Sequence, residues 1–403
     1  MTDYKEAPWF KDGEPTQLPE NFYSSEFLID EMIEYIDGGD KNKPFFSYVS
    51  FQAQHIPLQV PKEYTQKYLT LYEEGWDVLR NNRLNAARDK GLFPLDAPIV
   101  DSLSSLKKWE EIDGQRKKFL IKSAAVFAGM LNAMDFHIGR LVSYLKENDL
   151  YENTIFIITA DNGPEGNNPE EHQAWRSWIG TTSYTRNIDT LGEENSYVFI
   201  GTEFAQAMAS PHHMFKFHMN EGGLKVPLIM SGNGITKGVY SEFTYLTDIA
   251  ATISKIITGE VPERMIGKSL EQVLRGSLEK VYEENEYIGL EVAGNSALFK
   301  GDYKILKNGP PTGDNIWHLY NLADDPGETN DLAKQKPDIF QQLLKHYDEY
   351  VADNGVIDLG PDYYWATEMT VNTAKRRFAE FIPSLIFIIL VIGLIVIIYI
   401  RRR

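Results

Sequence analysis

Apolar positions change their period along the chain, and the changes mark out its elements. Tyr23–Tyr35 spaces apolar residues as a helix does, with Ser24 or Ser25 placed to cap it. Pro44–Phe51 is an apolar run that predicts a buried strand, followed by the polar stretch Gln52–His55 and by Pro57. Between Ile112 and Asn148, Ala124, Phe127, Met130, Leu131, Met134, Ile138, Leu141 and Leu145 recur near every 3.6 residues, which predicts one long helix. Thr154–Ala160 is the clearest strand and runs into Asp161-Asn162-Gly163-Pro164. Residues 163–196 read as a Gly-, Asn- and Glu-rich loop, too long for a plain connection. Ser196–Ile200 and Val226–Met230 are expected strands, and 246–257 and 266–276 expected helices. After about residue 280 the pattern becomes hairpin-like, with strands at Tyr287–Glu291, Ser296–Lys307 and Ile316–Leu322 and an amphipathic helix near 336–351. Strands alternating with helices and then a small antiparallel unit predict an α/β domain followed by an α+β subdomain.

The end of the chain breaks this pattern. Phe381–Ile400 is twenty residues without a charge, enough to span about 30 Å as a helix, the thickness of a bilayer's hydrocarbon. Pro383 and Ser384 fall in its first turn, where a missing N–H is tolerated. Lys375-Arg376-Arg377 and Arg401-Arg402-Arg403 bracket it, which predicts a single C-terminal membrane anchor but nearly balances the charges that would orient it. The body before this stretch is expected on the extracytoplasmic side. Met1–Glu20 is polar and has no apolar core of the kind a signal peptide needs. The expected divisions are therefore 1–278, 279–365, a basic linker at 366–380, and the span 381–400.

Composition narrows the function. The 403 residues carry 58 acidic against 40 basic side chains, a net −18. The basic tail contributes about +5, so the body is more acidic still, which excludes nucleic acid as a partner. There is no cysteine, hence no disulfide framework, zinc knuckle or thiol nucleophile.

Candidate chemistry sits at the ends of strands, where open α/β sheets gather their ligands. Asp161 and Asn162 offer oxygen donors to a hard cation, although Asn-Gly is also a common turn pair. His55 follows the 44–51 segment, and a lone histidine there is more often structural. Lys216 precedes Glu221-Gly222-Gly223, whose glycines permit close backbone approach to a ligand or simply a tight turn. His212, His213 and His218 lack a second set of ligands at recognisable spacing and stay unassigned.

Taken in order, these pieces resemble the sulfatase family, of the arylsulfatase type within the alkaline-phosphatase-like superfamily. The order is His55 and Pro57 after a strand, a long helix with Asp135 to Arg140, and Asp161-Asn162-Gly163 after a second strand. Then come Lys216, Glu221-Gly222-Gly223-Leu224-Lys225-Val226-Pro227, and finally Leu319-Tyr320-Asn321-Leu322 with Asp325-Pro326-Gly327-Glu328-Thr329-Asn330-Asp331-Leu332. The resemblance covers about residues 20–350 and implies an alkaline-phosphatase-like α/β sheet with flanking helices, in part. It also implies one divalent cation, usually calcium, on Asp161 and Asn162, and contacts from His55 and Lys216 to the sulfate group. The implied substrate is a sulfate-ester small molecule or a sulfated glycan. Lys225 stands where the family commonly has arginine. Family members also use a formylglycine made from the first residue of C-x-P-x-R or S-x-P-x-R, together with paired N-terminal aspartates. No serine here has proline two residues later, so that nucleophile is not among these residues. The chain is thus expected to be the C-terminal part of a sulfatase, inactive alone, with part of a parallel sheet left open at its edge. Two other readings stay open: a non-catalytic sulfatase-like binder of sulfated ligands, and a phosphodiester or phosphonate hydrolase, against which Asn162 argues.

Overall fold

The computed structural model of the protein describes residues 8–103, 106–170, 175–176, 179, 184–185, 187–360 and 363–401. Parts of the expected 163–196 loop and of the terminal arginine cluster lie outside the described residues. In chain order the regular elements are β1 (Trp9–Lys11), β2 (Glu14–Thr16), α1 (Ser24–Gly38), α2 (Lys62–Gln66), α3 (Gly75–Asp89), α4 (Gly114–Glu147) and β3 (Ile155–Thr159). They continue with α5 (Gly201–Ala209), α6 (Glu221–Leu224), β4 (Leu228–Gly232), α7 (Thr247–Thr258) and α8 (Glu271–Leu274). The last are β5 (Tyr287–Val292), β6 (Asn295–Lys300), β7 (Tyr303–Lys307), β8 (His318–Asn321), α9 (Pro337–Asn354) and α10 (Trp365–Arg401).

The long helix α4 organises the first half. Asp113 caps it, accepting from the backbone nitrogens of Gln115 and Arg116 at 3.0 and 2.9 Å. Its buried face is small and apolar: Ala124, Ala125, Val126 and Ala133 are wholly enclosed. Small residues let neighbours come close, and a Cβ on Gly129 would meet the backbone of Tyr64 and Thr65 at 3.1 Å. By length and composition α4 could cross a membrane, but 44% of its most apolar stretch is buried within the protein, as befits a core helix. Against α4 and α5 packs a cluster of edge-to-face aromatics, Tyr72, Trp76, Trp109 and Phe204, with ring centres 4.9–6.2 Å apart.

Two strand expectations need correction. Pro44–Phe51 forms no strand, and Phe46 and Tyr48 are exposed. Ser196–Ile200 is buried but runs as an irregular segment into α5. It is held at Val198 O by the Leu58 nitrogen and at Ser196 O by the Gln59 side chain, without a ladder. Apolar runs report burial, whereas a strand also needs a lateral partner. The sheet is also not parallel where it is seen: β3 pairs antiparallel with β4, Ile157 opposite Met230. Ile158 and Ile229 on this pair remain exposed.

The second half is a four-stranded antiparallel meander, β5-β6-β7-β8. Side chains alternate across it. Leu298, Ile305 and Leu319 face α9 and pack on Leu343, while Ala297, Phe299 and Leu306 face the body and pack on Met219. Lys304 shares the body-facing side and is completely buried. Its ammonium lies 2.8 Å from Glu221 Oε1 and 2.7 Å from Glu328 Oε1, and Glu328 Oε2 accepts the Glu221 backbone N–H at 2.9 Å. The last helix, α10, carries the uncharged stretch from Phe381 onward, and Phe381, Ile386, Phe387 and Leu390 are exposed along it.

Removing one member of a buried ion cluster leaves the others uncompensated, at a cost of about 3–5 kcal/mol. Lys304→Met should therefore lower the urea unfolding free energy by that amount, and adding Glu221→Gln and Glu328→Gln should restore part of it. A Lys304→Met protein with an unchanged unfolding midpoint would show that the triad carries no stability.

Candidate active site

Lys216 lies on the strap between α5 and α6. Met214 and Phe217 on either side of it have φ of 61° and 75°, left-handed conformations that non-glycine residues avoid and that fold the strap tightly. The Lys216 nitrogen donates to Pro164 O at 3.0 Å, the Gly222 nitrogen to His213 O at 2.8 Å, and the Gly163 nitrogen to Gly223 O at 2.9 Å. Gly163 and Gly222 are required by contact. A Cβ on Gly163 would come within 1.9 Å of Gly222 O, and one on Gly222 within 2.4 Å of both His213 O and Met214 O. The loop after β3 and the strap carrying Lys216 are thus joined backbone to backbone.

On this frame the structure brings together two of the four expected residues. Lys216 Nζ is 3.2 Å from His55 Nε2. Both also approach a third residue, Glu165, whose Oε2 lies 3.1 Å from Lys216 Nζ and 3.3 Å from His55 Nε2. His55 is half exposed, whereas Lys216 and Glu165 are largely enclosed. His55 Nδ1 sits 2.8 Å from Ile56 O. A carbonyl only accepts, so Nδ1 carries a proton and Nε2 is the nitrogen that can take or give one. The ammonium can therefore meet an anion, and Nε2 of His55 can take up a proton and pass it on.

Asp161 and Asn162 sit on the same loop, just beyond β3. Asn162 donates its amide nitrogen to Gly163 O at 2.9 Å, which leaves its carbonyl oxygen as the acceptor. Asp161 is exposed. An acidic and an amide oxygen suit calcium, which takes 6–8 oxygen ligands. Among the described residues no group of three or more His, Cys, Asp or Glu could hold a metal ion. The pair fits calcium as part of a shell rather than the whole of one.

The three unassigned histidines each meet a neighbouring polar group, with His213 Nδ1 3.5 Å from Asn220 Nδ2. His218 bridges Phe215 O at 3.0 Å and Thr312 Oγ1 at 2.7 Å, and His212 contacts Pro326 O at 3.3 Å. Burial, with help from the Lys225 charge, pushes His212 down to about 4. Burial, and then nearby His218, pushes His213 down to about 4. Lys225 adds its backbone N–H to Glu221 O at 2.8 Å. Glu165 is the residue that sequence reasoning missed, since nothing in its spacing sets it apart among 58 acidic residues.

The sulfatase family model matches residues 2–259. The chain belongs to the sulfatase family. A model for the C-terminal part of N-sulphoglucosamine sulphohydrolase matches residues 211–353. An uncharacterized sulfatase of Schizosaccharomyces pombe is 34% identical over 363 residues, 85% of this chain and 64% of that protein. An arylsulfatase of Klebsiella aerogenes is 29% identical over 64% of this chain and 55% of its own length. The chain therefore spans between about half and two thirds of these sulfatases. A solved structure bound to D-glucosamine-2-N,6-O-disulfate aligns over 89% of this chain and 75% of its own, with a TM-score of 0.57 and 17% identity. Another, bound to a neocarrahexaose, covers 91% and 62% at a TM-score of 0.56 and 20% identity. These likenesses establish an α/β sulfatase fold.

The histidines give the fold an acid limit. An unfolded histidine titrates near 6.5 and these two near 4, so between those values the unfolded chain binds more protons. Their contribution to stability is complete above about pH 6.5 and is lost as pH falls through about 4. Urea midpoints should drop from pH 7 to pH 4.5, and the His212→Gln, His213→Gln double variant should drop less. Equal slopes in the two proteins would remove the histidines from the account.

Proposed function

We propose that this polypeptide carries the sulfate-contacting half of a metal-dependent sulfuric ester hydrolase. The observation that carries this reading is the junction of His55 Nε2 and Lys216 Nζ, 3.2 Å apart, with the Lys216 strap bonded backbone to backbone to the loop that follows Asp161-Asn162. Lys216 would neutralise sulfate oxygens, and His55, once its Nε2 has taken up a proton, would pass that proton to the departing alcohol. Asp161 and Asn162 would hold calcium with ligands from outside these residues, and the ion would draw charge from the sulfate oxygens. The formylglycine nucleophile that the family uses has no source in this chain, which holds no cysteine and no serine followed two residues later by proline. The 403 residues alone should accordingly show no turnover.

A carbohydrate substrate is favoured. Two fold neighbours were solved with saccharides, one a glucosamine disulfate, and an N-acetylgalactosamine-6-O-sulfatase of Bacteroides thetaiotaomicron is 26% identical over 52% of this chain and 39% of its own. The test is hydrolysis of p-nitrophenyl sulfate by the protein purified from its own cells with whatever its gene places upstream. Lys216→Ala, His55→Ala and Asp161→Ala should each lower kcat/KM by about 100-fold or more. Undiminished hydrolysis in Lys216→Ala would sink the assignment.

The uncharged stretch of α10 from Phe381 to Ile400, exposed at Phe381, Ile386, Phe387 and Leu390, supports a C-terminal membrane anchor, with the catalytic body extracytoplasmic. The protein should stay with membranes through alkaline carbonate extraction and be released by deletion of 366–403. Recovery of the intact protein in the carbonate supernatant would refute the anchor.

A further inference from the structure

We propose that Glu165 is a specificity-determining residue of the sulfate subsite, admitting ester groups with one negative charge and disfavouring those with two. This rests on the reading of His55 and Lys216 as sulfate contacts, and it adds a residue and a rule of selection to that site.

Three observations lead to it. First, the carboxylate is aimed at the same groups an incoming anion needs, with one oxygen 3.1 Å from Lys216 Nζ and 3.3 Å from His55 Nε2. Second, it cannot leave with its loop. On one side Pro164 O accepts the Lys216 backbone N–H at 3.0 Å, and on the other Gly166 O accepts the Thr202 hydroxyl at 2.9 Å. Gly166 is pressed against the Phe215 ring, which a Cβ there would meet at 2.5 Å. The second carboxylate oxygen takes the Asn167 side-chain amide. Third, Glu165 is largely enclosed, with its side chain 10% exposed, so solvent screens its charge little.

The charge arithmetic follows. With Nδ1 of His55 protonated toward Ile56 O, a neutral imidazole accepts from Lys216 at Nε2, and Lys216 also donates to Glu165. Ammonium and carboxylate cancel, and the three groups together are neutral. An entering sulfate monoester brings one charge and can share the ammonium with the carboxylate. A phosphate monoester brings up to two charges of the same sign as Glu165, within a few ångströms of it, where repulsion is strong in an enclosed site. Take Glu165 away and the cluster becomes a cation with no internal rival, better matched to the dianion. The acid of the pair is thus set to discriminate by charge between esters of nearly identical shape.

The experiment measures dissociation constants of phenyl sulfate and phenyl phosphate for the 403-residue chain by chemical-shift titration. It is run at about pH 8, where the phosphate ester carries close to two charges. The wild-type chain should prefer phenyl sulfate. Glu165→Gln should move the preference toward phenyl phosphate by about tenfold, and Glu165→Asp, which keeps the charge, should retain most of it. An unchanged ratio in Glu165→Gln, or an equal loss for both ligands, would make Glu165 merely structural and overturn the proposal. Failure of the wild-type chain to bind either ester would instead overturn the sulfate-subsite reading of His55 and Lys216, and this inference with it.

Discussion

The candidate site depends on an ammonium that water never reaches. Lys304 is completely buried, and burial alone would lower its pKa. The two carboxylates of Glu221 and Glu328 more than reverse this and raise its pKa. The partners respond differently. Burial raises Glu328, and the Glu221 charge beside it adds to the rise despite Lys304. Burial would raise Glu221 as well, but Lys304 and then Lys225 pull it below the ordinary range. The triad thus holds one ammonium between two buried carboxylates. Each sits on a different part of the chain: β7, the turn before β4, and the segment after β8. One desolvated cluster thus fastens the C-terminal sheet to the turn that backs the site, and such a cluster gives position more than net stability.

From that anchorage the constraint passes outward by contact alone. Glu221 begins α6, Gly222 touches the His213 and Met214 carbonyls, and Gly223 accepts from Gly163. Gly163 follows Asn162, and Pro164 receives the Lys216 nitrogen. Asp161, Asn162, Glu165 and Lys216 are thereby placed by backbone hydrogen bonds and steric exclusion, which hold tighter than side-chain packing. His55 comes from a separate stretch and is the most exposed member of the cluster. Precision in this site is built on loops because the loops are bonded to one another.

How much of this was legible in the sequence follows from what each signal measures. Helical periodicity measured one face against one neighbour, and α1, α4, α7 and α9 lie close to where it placed them. Hairpin spacing located β5 to β8, apart from the turn that divides Ser296–Lys307 between β6 and β7. Apolar runs were less informative, because 44–51 and 196–200 have no strand beside them to pair with. Motif order brought His55 and Lys216 into one hypothesis across 161 residues, and the structure places them in contact. Glu165 was illegible, since its meaning lies in which nitrogens it faces. Lys304 was equally hidden, as a lysine in a hairpin reads as solvated until its strand is seen to face inward.

The acidic character of the chain sets the terms on which an anion can enter. A net charge of −18 repels sulfate esters at long range, so the surface as a whole offers them no steering. Capture must come from short contacts, and the cationic partner nearest the loop, Lys216, is already shared with Glu165. The same strap meets α10: Phe217, next to Lys216, packs its ring 4.5 Å from that of Trp365, and Ala366 is buried. Phe381 lies about 16 residues further along that helix, roughly 24 Å at 1.5 Å per residue. On the proposed anchoring, the helix that enters the bilayer is the one that braces the site loop.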